Sequence, residues 1–311
     1  MKIKILLLAL LLSLSLGLQA QAATVTLGVG YGYGQSEYRC VDGYMEMFGS
    51  YRGPLPIVAF DSAYFGLGVD GLALHVFNNG LLTADLLLAP FSNKYDPENS
   101  DVAVMKLLEE RKMTAAAGFA LGLNTPLGSL KAVGKADILR GRSDSLTLAL
   151  SYSYRIMLSQ RFMLIPSIGI QYANSKHYDY YYGVTVDEAI NSGLPYYEVE
   201  ETDHSTSFGL TAIYGFTENL GMMLSGNYTL LADSIKESPM VDESGTWGAM
   251  AAITYKIGFG DDAKRAAAPK PQPAAQTQRQ TNNAQPNAHR QPNSVQPNAQ
   301  RQQNSVQPNN R

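Results

Sequence analysis

The stretch TVTLGVGYGYG, Thr24 to Gly34, alternates without a slip. Val25, Leu27, Val29, Tyr31 and Tyr33 fall on one side of an extended chain, and Thr24, Thr26, Gly28, Gly30, Gly32 and Gly34 on the other. Side chains of a strand point alternately to opposite faces, so this strand has one apolar face and one small, neutral face. The glycines lack the G-x-G-x-x-G order of a phosphate loop, and no helical pattern follows them. They read as small residues on the crowded side of a closed wall.

The same period recurs along the chain. In SLTLALSYSYRIML, Ser145 to Leu158, the apolar set Leu146, Leu148, Leu150, Tyr152, Tyr154, Ile156 and Leu158 opposes Ser145, Thr147, Ala149, Ser151, Ser153 and Arg155. NLGMMLSGNYTLL (Asn219–Leu231) and WGAMAAITYKIGF (Trp247–Phe259) repeat it. Weaker matches start near Gly66, Leu81, Ala115, Ser129, Phe162, Tyr180 and Ser205, with a short one at Ile57–Phe60. Together they predict about twelve strands, with ten as the lower bound, each close to the length a tilted strand needs to cross lipid. Tyrosines gather toward one end of several apolar faces, as at a membrane–water boundary. A soluble sandwich would carry lysine and glutamate on its second face. Here that face is Gly, Ser, Thr, Ala and Asn, and charges cluster in the connections. The fold class expected is an all-β, antiparallel transmembrane β-barrel, because in lipid every strand edge needs a partner.

The ends differ from this body. Residues 1–22 read as a signal peptide: Lys2 and Lys4, the apolar run Ile5–Leu18, then Ala20-Gln21-Ala22. The barrel is expected over 23–262. Residues 263–311 form a Pro/Gln/Asn-rich tail with an 11-residue repeat, QPNAHRQPNSV from Gln285 and QPNAQRQQNSV from Gln296. Such a composition buries too little apolar surface to fold, so the tail is expected to be disordered. It carries Lys264, Arg265, Lys270, Arg279, Arg290, Arg301 and Arg311 and no acid, which leaves the body near −12 although the whole chain is −3. An acidic, exported body argues against nucleic acid as a partner. Cys40 is the single cysteine, so no intramolecular disulfide forms.

The segment HYDYYYGVTVDEAINSGLPYYEVEET, His177 to Thr202, holds six tyrosines and six carboxylates. Its part YYYGVTVDEAINSGLPYY resembles the MipA/OmpV family of outer-membrane proteins. GPLPIVAFDSAYFGLG (Gly53–Gly68), LIPSIGIQYANSKHYDYYYGV (Leu164–Val184) and LADSIKESPMVDESGTWGAMAAITYKI (Leu231–Ile257) fit as well. The fit is weaker over 90–142, where ENSDVAVMKLLEERKM (Glu98–Met113) reads as a short amphipathic loop helix, and the tail departs from the family. The resemblance implies a barrel in the outer membrane of a Gram-negative bacterium. It also implies a scaffold linking a lytic transglycosylase to a penicillin-binding protein, or a surface antigen or adhesin. It transfers no catalytic residue.

The residues themselves point to no enzyme, metal or cofactor. The body's histidines are His75, His177 and His204. Asp203-His204-Ser205 sets acid, base and nucleophile side by side, but neighbours on a strand face opposite ways and form no relay. Lys131, Lys135, Asp137 and Arg155 fall on the inward parity and are candidate lumen charges for a small-solute channel, the alternative function. The candidate partner-binding loop is Tyr182, Gly183, Val184, Thr185, Asp187, Glu188, Ser192, Gly193, Leu194 and Pro195. Its flanking tyrosines are expected at strand ends by the membrane surface, and Asp187 and Glu188 in solvent. The tail's basic residues are the candidate tether to peptidoglycan or an acidic partner in the periplasm, with a coil reach on the order of 35–40 Å.

Overall fold

The computed structural model describes residues 23–39, 52–68, 71–91, 95–139 and 144–259. The expected signal peptide and the expected disordered tail lie outside the described residues. Twelve antiparallel strands form one closed sheet: β1 (Ala23–Gly34), β2 (Arg52–Asp61), β3 (Phe65–Gly68), β4 (Gly71–Asn78), β5 (Leu82–Phe91), β6 (Thr114–Thr125) and β7 (Gly128–Asp137). There follow β8, in two segments (Leu146–Ser153 and Ile156–Met157), β9 (Phe162–Ala173), β10 (Asp203–Gly215), β11 (Leu220–Leu230) and β12 (Gly245–Phe259). Each strand pairs with its sequence neighbour, and β12 returns to β1 from Ala23↔Phe259 to Gly34↔Gly248. Closure removes the sheet edges that lipid could not satisfy.

The alternation sets the wall. Leu27, Val29, Tyr31 and Tyr33 face outward and exposed, and the glycines between them face inward. Their smallness is a steric need: a Cβ on Gly28 would stand 2.5 Å from the carbonyl oxygen of Ile253. Leu146, Leu148 and Leu150 of β8 and Leu210 and Leu224 of β10 and β11 are likewise exposed outward. Inside, Thr211 and Ser225 join hydroxyls across β10 and β11 at 3.0 Å.

The two ends of the barrel are built differently. At one end every connection is a tight turn whose first polar residue folds back on the backbone. Ser62 Oγ accepts from the Phe65 N–H, Asn79 Oδ1 from Leu82, Thr125 Oγ1 from Leu127, Ser159 Oγ from Phe162 and Thr217 Oγ1 from Leu220. Such side-chain turns hold a hairpin without a long loop. The chain enters the wall at Ala23 and leaves it at Phe259 at this same end.

At the other end long connections converge. They carry α1 (Ser175–Tyr182), α2 (Val186–Ser192), α3 (Asp233–Lys236) and two 3-10 turns, Pro97–Asn99 and Met105–Leu107. The segment Glu98–Met113 therefore forms two short turns instead of the expected loop helix. The strand expected near Tyr180 is also overturned, since α1 occupies it. Tyr178, Tyr181 and Tyr182 lie together with His177 on one helical face, a spacing that a strand would have split.

Candidate functional site

The largest fully buried side chains of the described residues lie in these connections and not in the wall. Tyr38, Tyr95, Met105, Leu108, Tyr178, Tyr181, Tyr182, Val184, Ile235 and Met240 share one apolar core, drawn from four separate connections. Its lower side meets inward-facing residues at the strand ends: Thr114, Ala116, Thr147 and Ala173 are all buried. The connections thus form a cap packed into one mouth of the barrel.

Local sequence builds the cap's helices. Asn174 caps α1, its Oδ1 accepting from the His177 N–H at 3.1 Å and also from the Leu146 N–H of β8 at 3.0 Å. At α2, Thr185 Oγ1 accepts from the Glu188 N–H at 3.3 Å while Glu188 Oε2 accepts from the Thr185 N–H at 2.9 Å, a reciprocal capping box. Gly193 ends α2 with φ 77°, a left-handed position that suits glycine. Val184 and Tyr197 then exchange backbone hydrogen bonds and close the loop on itself.

Buried polar groups fasten the cap together. Arg111 Nη2 lies 2.8 Å from Glu188 Oε1, both side chains nearly excluded from solvent. The same guanidinium donates to the Gly183 carbonyl at 2.9 Å, and Glu188 Oε1 also accepts from the Glu109 N–H at 2.8 Å. Burial pushes the Glu188 carboxyl upward, but the backbone donors and Arg111 outweigh it and hold the carboxyl below its usual range. Tyr182 donates its hydroxyl to Glu37 at 2.6 Å, and burial raises the Glu37 pKa. His177 Nδ1 sits 2.9 Å from Ser145 Oγ, and burial, with Lys135 nearby, depresses its pKa to about 4.

These contacts correct part of the sequence reading. Of the candidate loop, Tyr182, Gly183, Val184, Glu188 and Ser192 are buried, and Leu194 is partly so. Glu188 is not in solvent, because its two oxygens are needed by the capping box and by Arg111. Tyr178, Tyr181 and Tyr182 are not at strand ends by the membrane surface, because they fill the cap core. Thr185, Asp187, Gly193 and Pro195 are exposed, as are Val186, Ile190 and Tyr196 beside them.

Lys131, Lys135 and Asp137 all fall on one side of β7, opposite the outward Leu130, with Gly122 and Ser151 flanking Lys131. Arg155 stands in the two-residue interruption of β8, toward the tight-turn end. A second inward group lay unnoticed in the sequence: His75 on β4 reaches Asp85 on β5 at 2.8 Å and Asp61 on β2 at 3.4 Å. Parity was the available signal, since these residues alternate with outward Leu74, Leu86 and Val58. Asp203 accepts from the Ser234 N–H and hydroxyl at 2.8 Å each and stands 3.5 Å from His204 Nδ1, while Ser205 Oγ accepts from the Ala232 N–H.

With the cap and wall in view, the comparisons fix the lineage. Residues 27–257 match the family model described as MltA-interacting protein MipA. The chain belongs to that family. Relatives include a putative outer membrane protein, YiaT, of Escherichia coli O157:H7, 28% identical and covering 67% of this chain and 85% of that one. The MltA-interacting protein of Escherichia coli K12 is 28% identical, covering 66% and 81%. Outer membrane protein OmpV of Vibrio cholerae is 25% identical, covering 61% and 73%. Among solved structures, the NanC porin aligns at TM-score 0.40 with 8% identity, over 74% of this chain and all of the other. This MipA-family member is an outer-membrane β-barrel of a Gram-negative bacterium, and among its described residues no helix is long and apolar enough to cross a membrane.

Proposed function

We propose that this barrel is a non-enzymatic interaction protein of the cell envelope, a scaffold and not an open diffusion channel. The observation that carries the reading is the cap: an apolar core packed into one mouth opposes free passage of small solutes. The name of the Escherichia coli relative, MltA-interacting protein, supports a protein partner. By that analogy the partner is a lytic transglycosylase, with a penicillin-binding protein as a second. The tight-turn end faces the periplasm and the cap faces outward, so the chain leaves the barrel on the side where such enzymes work. The basic residues Lys264, Arg265, Lys270, Arg279, Arg290, Arg301 and Arg311 then serve as a tether to peptidoglycan or to an acidic partner.

The test is a pull-down of a purified lytic transglycosylase with the full-length barrel in detergent, beside a chain ending at Asp262. Retention by the full chain is the expected result. No retention by either chain, together with stepwise conductance of the reconstituted barrel, would replace the scaffold with a channel through Lys131, Lys135, Asp137 and Arg155. A second reading, surface adhesion, is favoured by exposed Val186, Ile190 and Tyr196 on the outer side of the cap. Loss of binding to host-cell matrix on Ile190→Asp would support it.

A further inference from the structure

The helix α2 has two unlike sides. Glu188 and Ser192 face the cap core and are buried. Val186 and Ile190 lie about 200° round the helix from them, and they are 59% and 75% exposed. The Met105–Leu107 turn packs beside α2 and exposes Leu107, and Tyr196 stands exposed just past the helix. Packing in the cap accounts for the inner side of α2, through Arg111 and the apolar core. It does not account for aliphatic side chains on the outer side.

The charge around that side has one sign. From His177 to Thr202 there are six carboxylates and no lysine or arginine. Glu188 pairs with Arg111, and Asp179 accepts from the Val199 N–H at 3.2 Å. Asp187, Glu198, Glu200 and Glu201 stand exposed, and among the described residues no lysine or arginine pairs with them. Tyr196 donates its hydroxyl to Glu198. That bond first, and then the charges of Glu198, Asp179 and Glu200, raises the phenol pKa. The exposed ring therefore stands in a negative field.

An exposed apolar ridge beside unpaired like charges narrows the occupant. A second copy meeting it face to face would set carboxylate against carboxylate, and an anionic lipid headgroup would be repelled as well. A wholly apolar segment would bury these acids without partners, at a cost greater than two aliphatic contacts offset. A segment that carries cations beside its aliphatic side chains satisfies both features. We propose that the outer side of the cap docks an amphipathic, lysine- or arginine-rich helix of a partner protein. Its aliphatic residues lie on Val186 and Ile190, and its cations meet Asp187, Glu198 and Glu200. The partner need not be host matrix: only the outer side of the cap is common to this docking and to adhesion.

The probe is a fluorescein-labelled helical peptide of four Lys-Ala-Leu-Lys repeats. Its anisotropy is followed against the full-length protein in phosphatidylcholine nanodiscs, with protein-free discs as the baseline. Binding above that baseline is expected, and little or none from the Glu-Ala-Leu-Glu and Gln-Ala-Leu-Gln analogues. Val186→Ser with Ile190→Ser removes the apolar ridge and should weaken binding on the order of ten- to a hundredfold. Asp187→Asn with Glu198→Gln and Glu200→Gln should weaken it too, and should flatten its dependence on salt. These side chains are exposed, and either set of variants suffices if the other fails to fold. Binding no stronger than to empty discs, equal binding of the glutamate analogue, or indifference to both sets of variants would overturn the docking. Peptide binding by a protein that does not adhere to host matrix would keep the docking and remove only the adhesion reading.

Discussion

Arg111 and Glu188 are 77 residues apart in sequence and meet at the centre of the cap. A buried ion pair adds little over an apolar replacement, yet removing one partner strands the other charge, at a cost of about 3–5 kcal/mol. Arg111→Ala should therefore free the cap while the barrel still shows its heat-modifiable shift in electrophoresis. Amide exchange over 184–197 reads this directly, and unchanged protection there would remove Arg111 from its fastening role. The double replacement Arg111→Met with Glu188→Leu should recover most of the protection. At Gly193, alanine must adopt φ 77°, so Gly193→Ala should cost about 1 kcal/mol through backbone strain alone. The sequence carried half of this arrangement. Thr185-x-x-Glu188 before an apolar run is a capping-box signal, whereas nothing local marks Arg111 as the partner of Glu188.

Strands and cap helices differ in how openly the sequence shows them, for a physical reason. Lipid on one side and a crowded lumen on the other enforce alternation at every wall position, so β1, β8, β11 and β12 are plain in the residue pattern. The cap obeys only its own packing. Tyr178, Tyr180 and Tyr182 imitate a strand, and it takes the Asn174 cap and the shared burial of His177, Tyr178 and Tyr181 to make α1 a helix. That helix carries a pH dependence. His177 titrates near 6.5 when free and near 4 in the cap, so between those values only the unfolded cap binds the proton. Cap stability should fall as pH drops through that window, by on the order of 3 kcal/mol in total. Glu37, with its raised pKa, acts in the opposite sense: its contribution is complete below the ordinary carboxylate value and declines as pH rises. Near-UV circular dichroism of the packed tyrosines, followed in urea from pH 7 to pH 4.5, measures the balance. His177→Gln should flatten the acid-side slope, and an unaltered slope would assign it elsewhere.

At the scale of the molecule, a closed hydrogen-bonded wall and a separately packed cap are two stability systems joined at the strand ends. The wall draws on its ladders and on lipid, and the cap on apolar burial in water. This division predicts that the cap can be removed with the wall intact. Replacing 175–201 by a short Gly-Ser linker takes Tyr178, Tyr181, Tyr182, Val184 and Val199 out of the core and cuts the Arg111–Glu188 pair. It leaves every strand pairing untouched, since β9 and β10 are joined from Ala173↔Asp203 to Phe162↔Tyr214. In planar bilayers the native protein should show no steady conductance, because the cap fills its mouth. The linker variant should open in discrete steps, with ion preference shifted by Lys131→Met if that side chain lines the path. Equal conductance before and after the replacement would mean that the cap does not seal the barrel, and the scaffold reading would lose the observation on which it stands.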